Sequence, residues 1–350
     1  MANATRFIPD FLYRSAMGIA LTLMLSGCDG GGASDLLLRD YHAALAERLG
    51  VAPPEHAQPR NIGAFPELRE RRLPVPETRE SLLNVYALRE CHITTLVAEH
   101  NSTLGRVAPA SQRWQYELAL WQRLTACRNS EVADRLAADD RARLERLTTT
   151  KRRQLPLATW NGLFGSEEWA KNFSRVSSPL EPDTLAPPGE QLAALDYLHR
   201  LSRAPFETSL SLPDPEALED HLQALNERSY TAQLLRTLVL GEQRLEEANA
   251  LLDQALVAPG HCPSEGLIAR PRQIPEFERL AGWVATLDDA ATRWLAGLTP
   301  LFESVENPPQ AVQEYRRAWL SRHEAEAPFT RFRRAWQGHL ERRERLASRC

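Results

Sequence analysis

The sequence predicts an all-α fold, a single irregular domain of about ten helices. Leu, Ala, Glu and Arg are abundant and only 17 of the 350 residues are glycine, a composition that favours helices over sheets. Apolar side chains recur three and four positions apart along most of the chain, which indicates amphipathic helices. Because 43% of the residues are hydrophobic and 25% are charged, we expect one packed globular core.

Polar cap residues place the helices of the N-terminal half, since their side chains accept hydrogen bonds from the free N–H groups of a first turn. The predicted starts are Ser34, Thr78, Ser111 and Ser130. The first helix is predicted to end at Gly50, which permits a left-handed C-cap, and the last near Arg153. Residues 51–77 carry six prolines and are predicted to be a linker.

Prolines delimit the helices of the C-terminal half. Asp214-Pro215-Glu216 combines an N-cap, a proline at the first helical position and an acid at the next. Residues 207–212 alternate between apolar and polar side chains, which predicts a short strand. The predicted helices span 190–203, 214–228, 229–257, 275–297, 308–325 and 328–348.

The first residues, 1–27, have the pattern of a lipoprotein signal peptide. Their apolar run, Ala16–Leu25, is shorter than the roughly 20 residues that cross a bilayer. The run ends in a lipobox composed of Leu25, Ser26, Gly27 and Cys28. Residues 28–34 then form an acylated cysteine with a glycine-rich tether, and residues 35–350 form the helical domain. The alternative is an ordinary secretory signal with a chance cysteine.

Acylation of Cys28 predicts attachment to a membrane on its periplasmic side. Two or more acyl chains, at ~0.8 kcal/mol per buried methylene, give stable anchoring, so membrane lipid is the expected partner. Asp29 directly follows the cysteine and resembles an inner-membrane retention signal of enteric-type sorting. The outer membrane remains the alternative location.

The other four cysteines predict disulfide bonds. An even number in an exported protein favours two bridges among three connectivities, and we expect Cys91–Cys127 and Cys262–Cys350. Cys91 and Cys127 lie equally far on either side of a turn near Pro109, so two antiparallel helices would bring them level. Four reduced thiols are the alternative, and a zinc site is less favoured because no CxxC pair exists.

Two blocks of the sequence are distinctive. The first runs from Cys91 to Cys127 and contains the segments 101–107 (NSTLGRV), 111–113 (SQR) and 116–117 (YE). The second contains 160–164 (WNGLF) and 166–168 (SEE). Together with the lipobox, these blocks resemble an uncharacterised family of bacterial lipoproteins catalogued as domain of unknown function 3080, over most of the mature chain. The resemblance implies a lipoprotein and implies no activity.

Hydrogen-bonding side chains are dense between Glu99 and Arg106. His100, Asn101, Ser102 and Arg106 are a candidate polar site for a small anion or glycan, with Arg106 as a forked donor and His100 as a titratable partner. The favoured interpretation is a helix end. There the polar side chains satisfy free carbonyls, Gly105 adopts a positive φ and Arg106 complements the helix dipole.

Aromatic residues concentrate between 157 and 175. Trp160, Phe164, Trp169 and Phe173 have spacings typical of a core, with a ligand groove as the alternative. Glu167 and Glu168 follow Ser166, which predicts first-turn acids after a helix cap rather than a catalytic pair.

The sequence contains no known catalytic or metal-binding motif. HExxH, GxSxG, a Walker loop and a GxGxxG after a strand are all missing, and the nine histidines are scattered. Glu303-Ser304 is similar to the start of a lytic transglycosylase motif, but the Gly-rich remainder of that motif is missing. We therefore predict no catalytic residues, no metal and no cofactor.

Ten arginines between 316 and 349 alternate with aromatic residues on the C-terminal helices. This pattern predicts contact with anionic lipid headgroups or with an envelope protein, and solvated faces of core helices are the alternative. The formal net charge of −4 argues against a nucleic-acid partner, which needs a basic footprint.

The favoured function is a non-enzymatic interaction or structural protein of the envelope, held at the membrane and facing the periplasm. One alternative is an envelope enzyme acting on peptidoglycan or another glycan, which would show a deep cleft with a buried carboxylate or histidine. A second alternative is a chaperone for lipid or lipoprotein, which would show a large apolar cavity.

Overall fold

The computed structural model describes residues 32–203, 214–257 and 275–349. In these ranges every regular element is helical, as the sequence predicts, and none of the helices is long and apolar enough to cross a membrane. The strand predicted at 207–212 lies outside the described residues. The α-helices are α1 (Gly32–Leu49), α2 (Leu68–Arg71), α3 (Leu82–Ala87), α4 (Thr94–Asn101), α5 (Thr103–Arg106), α6 (Ala110–Arg128), α7 (Glu131–Arg135), α8 (Ala138–Phe164), α9 (Glu167–Lys171), α10 (Gly189–Arg203), α11 (Pro215–Glu227), α12 (Tyr230–Val257), α13 (Pro275–Phe302), α14 (Gln310–Tyr315) and α15 (Pro328–Arg349).

Helix α12 forms the centre of the domain. Leucines and alanines cover most of its circumference, so it is buried on nearly every side, as expected for a helix that is apolar all round. It packs mainly against α15 and α1, and α1 in turn packs against α13. Trp294 of α13 reaches into this core and donates its indole N–H to Thr231 Oγ1 at 2.9 Å.

A second, smaller apolar cluster lies around the Cys91–Cys127 disulfide. Leu88 and Ile93 pack there against the C-terminal half of α6 and the N-terminal half of α8. We call residues 82–107, together with α6 and the N-terminal half of α8, the disulfide lobe. The long α6–α8 pair, which also carries Trp114 and Trp160 of the main core, connects the lobe to the rest of the domain.

The start of the domain differs from the prediction. Helix α1 begins at Gly32, so residues 32–34 belong to the helix and not to the tether. Ser34 does not cap the helix, because its buried hydroxyl donates to the carbonyl of Leu180 at 2.6 Å. Gly50 has a φ of 66° and follows the last helical residue, as predicted from the C-cap preference of glycine.

The segment 51–77 is not a free linker. It contains α2, and Ile62 is buried in the main core. Phe65 stacks on Phe173 with ring centroids 4.1 Å apart. Prolines keep the segment extended, and its apolar side chains fix it to the helices.

Two helices of the N-terminal half differ from their predictions in both extent and continuity. The helix predicted from Thr78 starts after Ser81, whose side chain accepts from Asn84 N, and it is interrupted at His92, which has a φ of 57°. The helix predicted from Ser130 to Arg153 is two helices, α7 and α8, and α8 continues through Pro156 to Phe164. A proline removes one backbone hydrogen bond, and burial of the aromatic side chains that follow offsets this loss.

Candidate functional site

An open groove of about 910 Å³ lies in the disulfide lobe, between α4–α5 and α6. Its walls are largely apolar, with Leu96, Leu104, Ala108 and Tyr116 among the lining side chains. Leu104 is 80% exposed and Val107, the residue before Ala108, is 76% exposed. Large apolar side chains with this exposure are unusual on a folded domain when they cluster, which makes the groove the candidate functional site.

His100 and Tyr116 form one wall of the groove. Their rings stack with centroids 3.7 Å apart and an interplanar angle of 5°. Burial lowers the pKa of His100, which the positive charges of Lys151 and Arg113 lower further while Glu117 opposes them. Burial also raises the pKa of Tyr116, with Glu117 adding to the rise. Both rings are therefore favoured in their neutral forms and present flat, weakly polar surfaces.

The turn between α4 and α5 has the helix-end structure that the sequence favours. Ser102 ends α4 and caps α5, where its hydroxyl accepts from Gly105 N at 3.0 Å. The predicted positive φ of Gly105 was wrong, since the described glycines with positive φ are Gly32 and Gly50. Glycine is needed for a different reason: a Cβ at position 105 would lie 2.3 Å from the carbonyl oxygen of His100.

The four residues of the predicted polar site separate in space. His100 and Ser102 line the groove, whereas Asn101 and Arg106 are exposed side chains outside its lining. Arg106 lies in the last turn of α5, where its charge complements the helix dipole. The structure therefore gives no convergent anion site at these four residues.

Two polar side chains of α6 lack partners among the residues described. Arg113 lines the groove without an ion pair to any described carboxylate, and its pKa is lowered by burial and by the nearby charge of Arg72. Gln115 also lines the groove, and its buried Nε2 has no acceptor. The groove therefore presents unsatisfied donors beside an apolar surface.

The acidic residues of the groove do not form a catalytic constellation. Glu99 and Asp214 are both exposed to solvent, and neither lies beside a nucleophile or a second buried carboxylate of the groove. Glu303 is ion-paired with Arg316 on the surface. Glu167 and Glu168 occupy the first turn of α9 after the Ser166 cap, as predicted.

Other sequence predictions have clear outcomes. Cys91 and Cys127 form the predicted disulfide, with a Cα–Cα distance of 5.1 Å, although Cys91 lies in a 3-10 turn and not on the long helix that the sequence predicted. The lipobox residues 25–28, Cys262 and Cys350 lie outside the described residues. The aromatic cluster is core: Trp160, Phe164, Trp169 and Phe173 are all buried.

Most of the C-terminal arginines that the structure shows are engaged within the protein. Arg333 bonds both oxygens of Asp288, and Arg342 bonds Asp253 at 2.9 Å. Arg331 bonds the buried carboxylate of Glu242. Arg343 donates to Tyr41 Oη at 2.9 Å and lies over the ring of Phe277. These bonds leave less positive charge for anionic lipid than the sequence alone indicates.

Sequence reasoning missed one cluster of potential metal ligands. His42, His56 and Glu247 converge, although 191 residues separate His56 from Glu247. No spacing rule links residues so far apart, so only the packing of α1 and residues 51–77 on α12 reveals the cluster. The cluster contributes no residue to the groove.

The fold and the groove together define an all-α protein with an open, largely apolar surface groove. Comparison with known proteins then places it: the chain belongs to the family described as "Protein of unknown function (DUF3080)", whose sequence profile matches residues 38–350. No curated protein and no solved structure matches it.

Proposed function

We propose that this protein is a lipid-anchored, non-enzymatic interaction protein of the bacterial envelope, and that its groove binds an apolar helical segment of a partner protein. The observation that carries the proposal is the exposure of Leu104, which lines a groove with apolar walls, and of Val107, which directly precedes the lining residue Ala108. Covering such side chains releases the water that they order and provides the driving force for association.

A protein segment fits the groove better than a single lipid chain. The groove is open to solvent, whereas a bound acyl chain is best covered in an enclosed cavity. The disulfide lobe also exposes the apolar side chains of Leu82, Leu83 and Tyr86. An amphipathic helix covers a groove and its rim together, with anchors at helical spacing.

The charge of the groove indicates one further property of the partner. Arg113 has the positive charge of Arg72 nearby and no acid beside it, and the donor of Gln115 is unused. A carboxylate on the partner would pair with the charge of Arg113 and accept a hydrogen bond from Gln115. Complementary charges of this kind also fix the register of an interface. We therefore expect an acidic residue next to the apolar face of the bound helix.

Photo-crosslinking in the native envelope tests the groove. A photoreactive residue is placed at Leu104 or at Val107, and the control is Val176, which is 92% exposed and lies outside the lining. We expect Leu104 and Val107 to capture the same protein through an apolar helical peptide that contains an acidic residue, and Val176 not to capture it. Arg113→Glu should reduce the capture about tenfold or more, because it places like charges together.

Equal capture from Val176, or lipid as the only adduct at Leu104, would refute the groove as a protein-binding site. Capture that is insensitive to Arg113→Glu would refute the proposed acidic contact.

The lipid anchor is supported by the lipobox and by the length of the chain before α1. Cys28 precedes Gly32 by four residues, so an acylated Cys28 would hold α1 within roughly 15 Å of the lipid headgroups. Mass spectrometry of the mature protein should show an N-terminal, diacylglyceryl-modified Cys28, and Cys28→Ser should abolish the modification. A mature product that retains residues 1–27 would contradict the anchor.

A further inference from the structure

His42, His56 and Glu247 bring three potential metal ligands together at the surface of the main core. His56 Nδ1 lies 3.2 Å from Glu247 Oε2, and His42 Nδ1 lies 3.9 Å from the same oxygen. The two imidazole rings stack with centroids 5.2 Å apart. All three ligand atoms lie within 4.8 Å of one another.

The hydrogen bond at the far side of His42 determines which ring nitrogen is free. His42 Nε2 lies 2.8 Å from the carbonyl oxygen of Arg244, and a carbonyl can only accept, so Nε2 carries the hydrogen. The ring is only 1% exposed, and a charged imidazolium is costly at such a buried position. Nδ1 is then a lone pair that has no hydrogen-bond partner in the described ranges.

This lone pair is directed toward a carboxylate. His42 Nδ1 has no hydrogen-bond partner and lies 3.9 Å from Glu247 Oε2, which accepts from Arg244 Nη1 at 3.1 Å. A cation bound between Nδ1 and Oε2 would give the buried nitrogen the partner that it lacks among the described residues. His56, whose Nδ1 also reaches Glu247, provides the third lone pair once its proton is displaced.

Hydrogen bonds from neighbouring groups orient these three side chains, as hydrogen bonds to metal-binding residues do in known metal sites. A backbone carbonyl fixes the tautomer and the orientation of His42, which is a common arrangement for ligating histidines. Glu247 Oε1 accepts from Arg244 Nη1 at 2.8 Å and from Ala57 N at 3.2 Å, and Oε2, which also accepts from Arg244 Nη1 at 3.1 Å, lies beside both histidines. The charge of Arg244 is balanced by Asp35, whose Oδ1 lies 2.6 Å from Arg244 Nε.

We propose that His42, His56 and Glu247 bind a divalent transition-metal ion, zinc in the first place. Two imidazoles and one carboxylate suit zinc, whereas calcium and magnesium prefer oxygen ligands alone. Tetrahedral zinc places its ligand atoms about 3.3 Å apart, so the separations of 3.2 and 3.9 Å require only a small adjustment. His56 and Glu247 remain partly exposed, which leaves the fourth position to water or to a ligand from solution.

Zinc titration of the full-length protein tests the site. Metal is first removed with a chelator and free thiols are blocked, so that cysteines do not contribute. Competition with a chromophoric zinc indicator should give one ion per chain, and cobalt in the same site should show the visible absorption of a four-coordinate complex. Magnesium and calcium should not compete.

Two variants remove ligands with little change to the core. His56→Ala deletes a ring that is 22% exposed, and Glu247→Gln keeps the shape of the side chain. Each should weaken zinc binding about 100-fold or more, whereas His323→Ala, which removes an exposed histidine elsewhere, should leave the affinity unchanged.

Circular dichroism would show that the variants remain folded. The proposal is overturned if the wild-type protein binds no zinc, if both variants bind it as tightly as the wild type, or if magnesium or calcium displaces it.

Discussion

His339 is a histidine that the fold holds uncharged in the centre of a polar network. It is fully buried, and its Nδ1 lies 2.9 Å from Asn249 Oδ1, so Nδ1 carries the hydrogen. Nε2 then accepts from Tyr41 Oη at 2.7 Å. Burial lowers the pKa of His339 to about 3, and the charges of Arg343, Arg342 and His42 lower it further. The free energy of burying this ring is therefore sensitive to acid.

The sign of that sensitivity follows from proton linkage. In the unfolded chain the ring takes up a proton below pH 6.5, whereas the folded protein does not until about pH 3. The free energy of unfolding should thus fall as the pH decreases from 6.5, by at most about 1.4 kcal/mol per pH unit for this group.

His339→Gln should reduce this fall, because glutamine does not titrate. Urea unfolding at several pH values between 7.5 and 4.5, with a chelator present, measures the slope. His42 contributes a parallel loss, so the variant should flatten the slope only in part. His323→Gln is the control, since His323 is exposed and should leave the slope as it is. An unchanged slope in His339→Gln would contradict the neutral ring.

Cap residues show how far single positions could be predicted. Ser130, Ser166 and Asp214 accept from the first turns of their helices, as expected from their type and place. Ser34 and Ser111 have the same chemistry and instead donate to distant partners, the carbonyl of Leu180 and the carboxylate of Glu219. A hydroxyl both donates and accepts, and only tertiary packing decides which role is used.

At the scale of elements, α6 and α8 approach closely where Gly162 faces Trp114. A Cβ at position 162 would lie 2.6 Å from the Cβ of Trp114, which no real contact tolerates. Gly162→Ala should therefore push the two helices apart and lower the free energy of unfolding by about 1–3 kcal/mol. Chemical denaturation of the purified protein measures the change.

Gly282 is a matched control on a helix. It lies inside α13, and a Cβ there would meet nothing within 4 Å. Gly282→Ala should raise the stability by about 0.5–1 kcal/mol, because alanine favours the helix and adds no clash. If both substitutions shift stability in the same direction, the close approach at Gly162 is not the controlling effect.

Helices with a clear apolar repeat and a clear cap could be predicted almost to the residue, as α10 and α12 show. The predicted helix boundaries were wrong where tertiary contacts outweigh the preferences of the local sequence. Pro156 does not end α8, because the turns beyond it carry Trp160 and Phe164 into the core. His92 interrupts a helix that the apolar repeat alone would continue, and the residue directly before it, Cys91, forms the disulfide.

For the whole molecule, composition and periodicity were sufficient to predict the all-α class. They could not reveal the groove or the ligand cluster, because both depend on which helices become neighbours. Leu104 and Val107 look like core residues by type, and only the structure shows that they remain exposed. His42 and His56 form a potential metal site only together with Glu247, which lies nearly two hundred residues later in the sequence.

The division into a main core and a disulfide lobe has a dynamic consequence. The lobe has a small apolar cluster of its own, so it should open at a lower free energy than α12, which is buried on most sides. Hydrogen exchange followed by mass spectrometry should show weaker protection of backbone amides in residues 82–107 than in residues 230–257. The Cys91–Cys127 bridge spans 36 residues and is worth roughly 3–4 kcal/mol in the chain-entropy model, so reduction should increase exchange within the lobe and leave α12 unchanged.

The double variant Cys91→Ser, Cys127→Ser removes this disulfide alone, so its effect can be distinguished from the reduction of any other disulfide. It should reproduce the exchange of the reduced protein in the lobe, and a reductant should have no further effect on residues 82–107. The proposed partner-binding groove belongs to this lobe, so the same loss of order should weaken crosslinking at Leu104. If reduction increases exchange in α12 as much as in the lobe, the domain opens as one cooperative unit. In that case the disulfide would stabilise the whole domain and not the lobe alone.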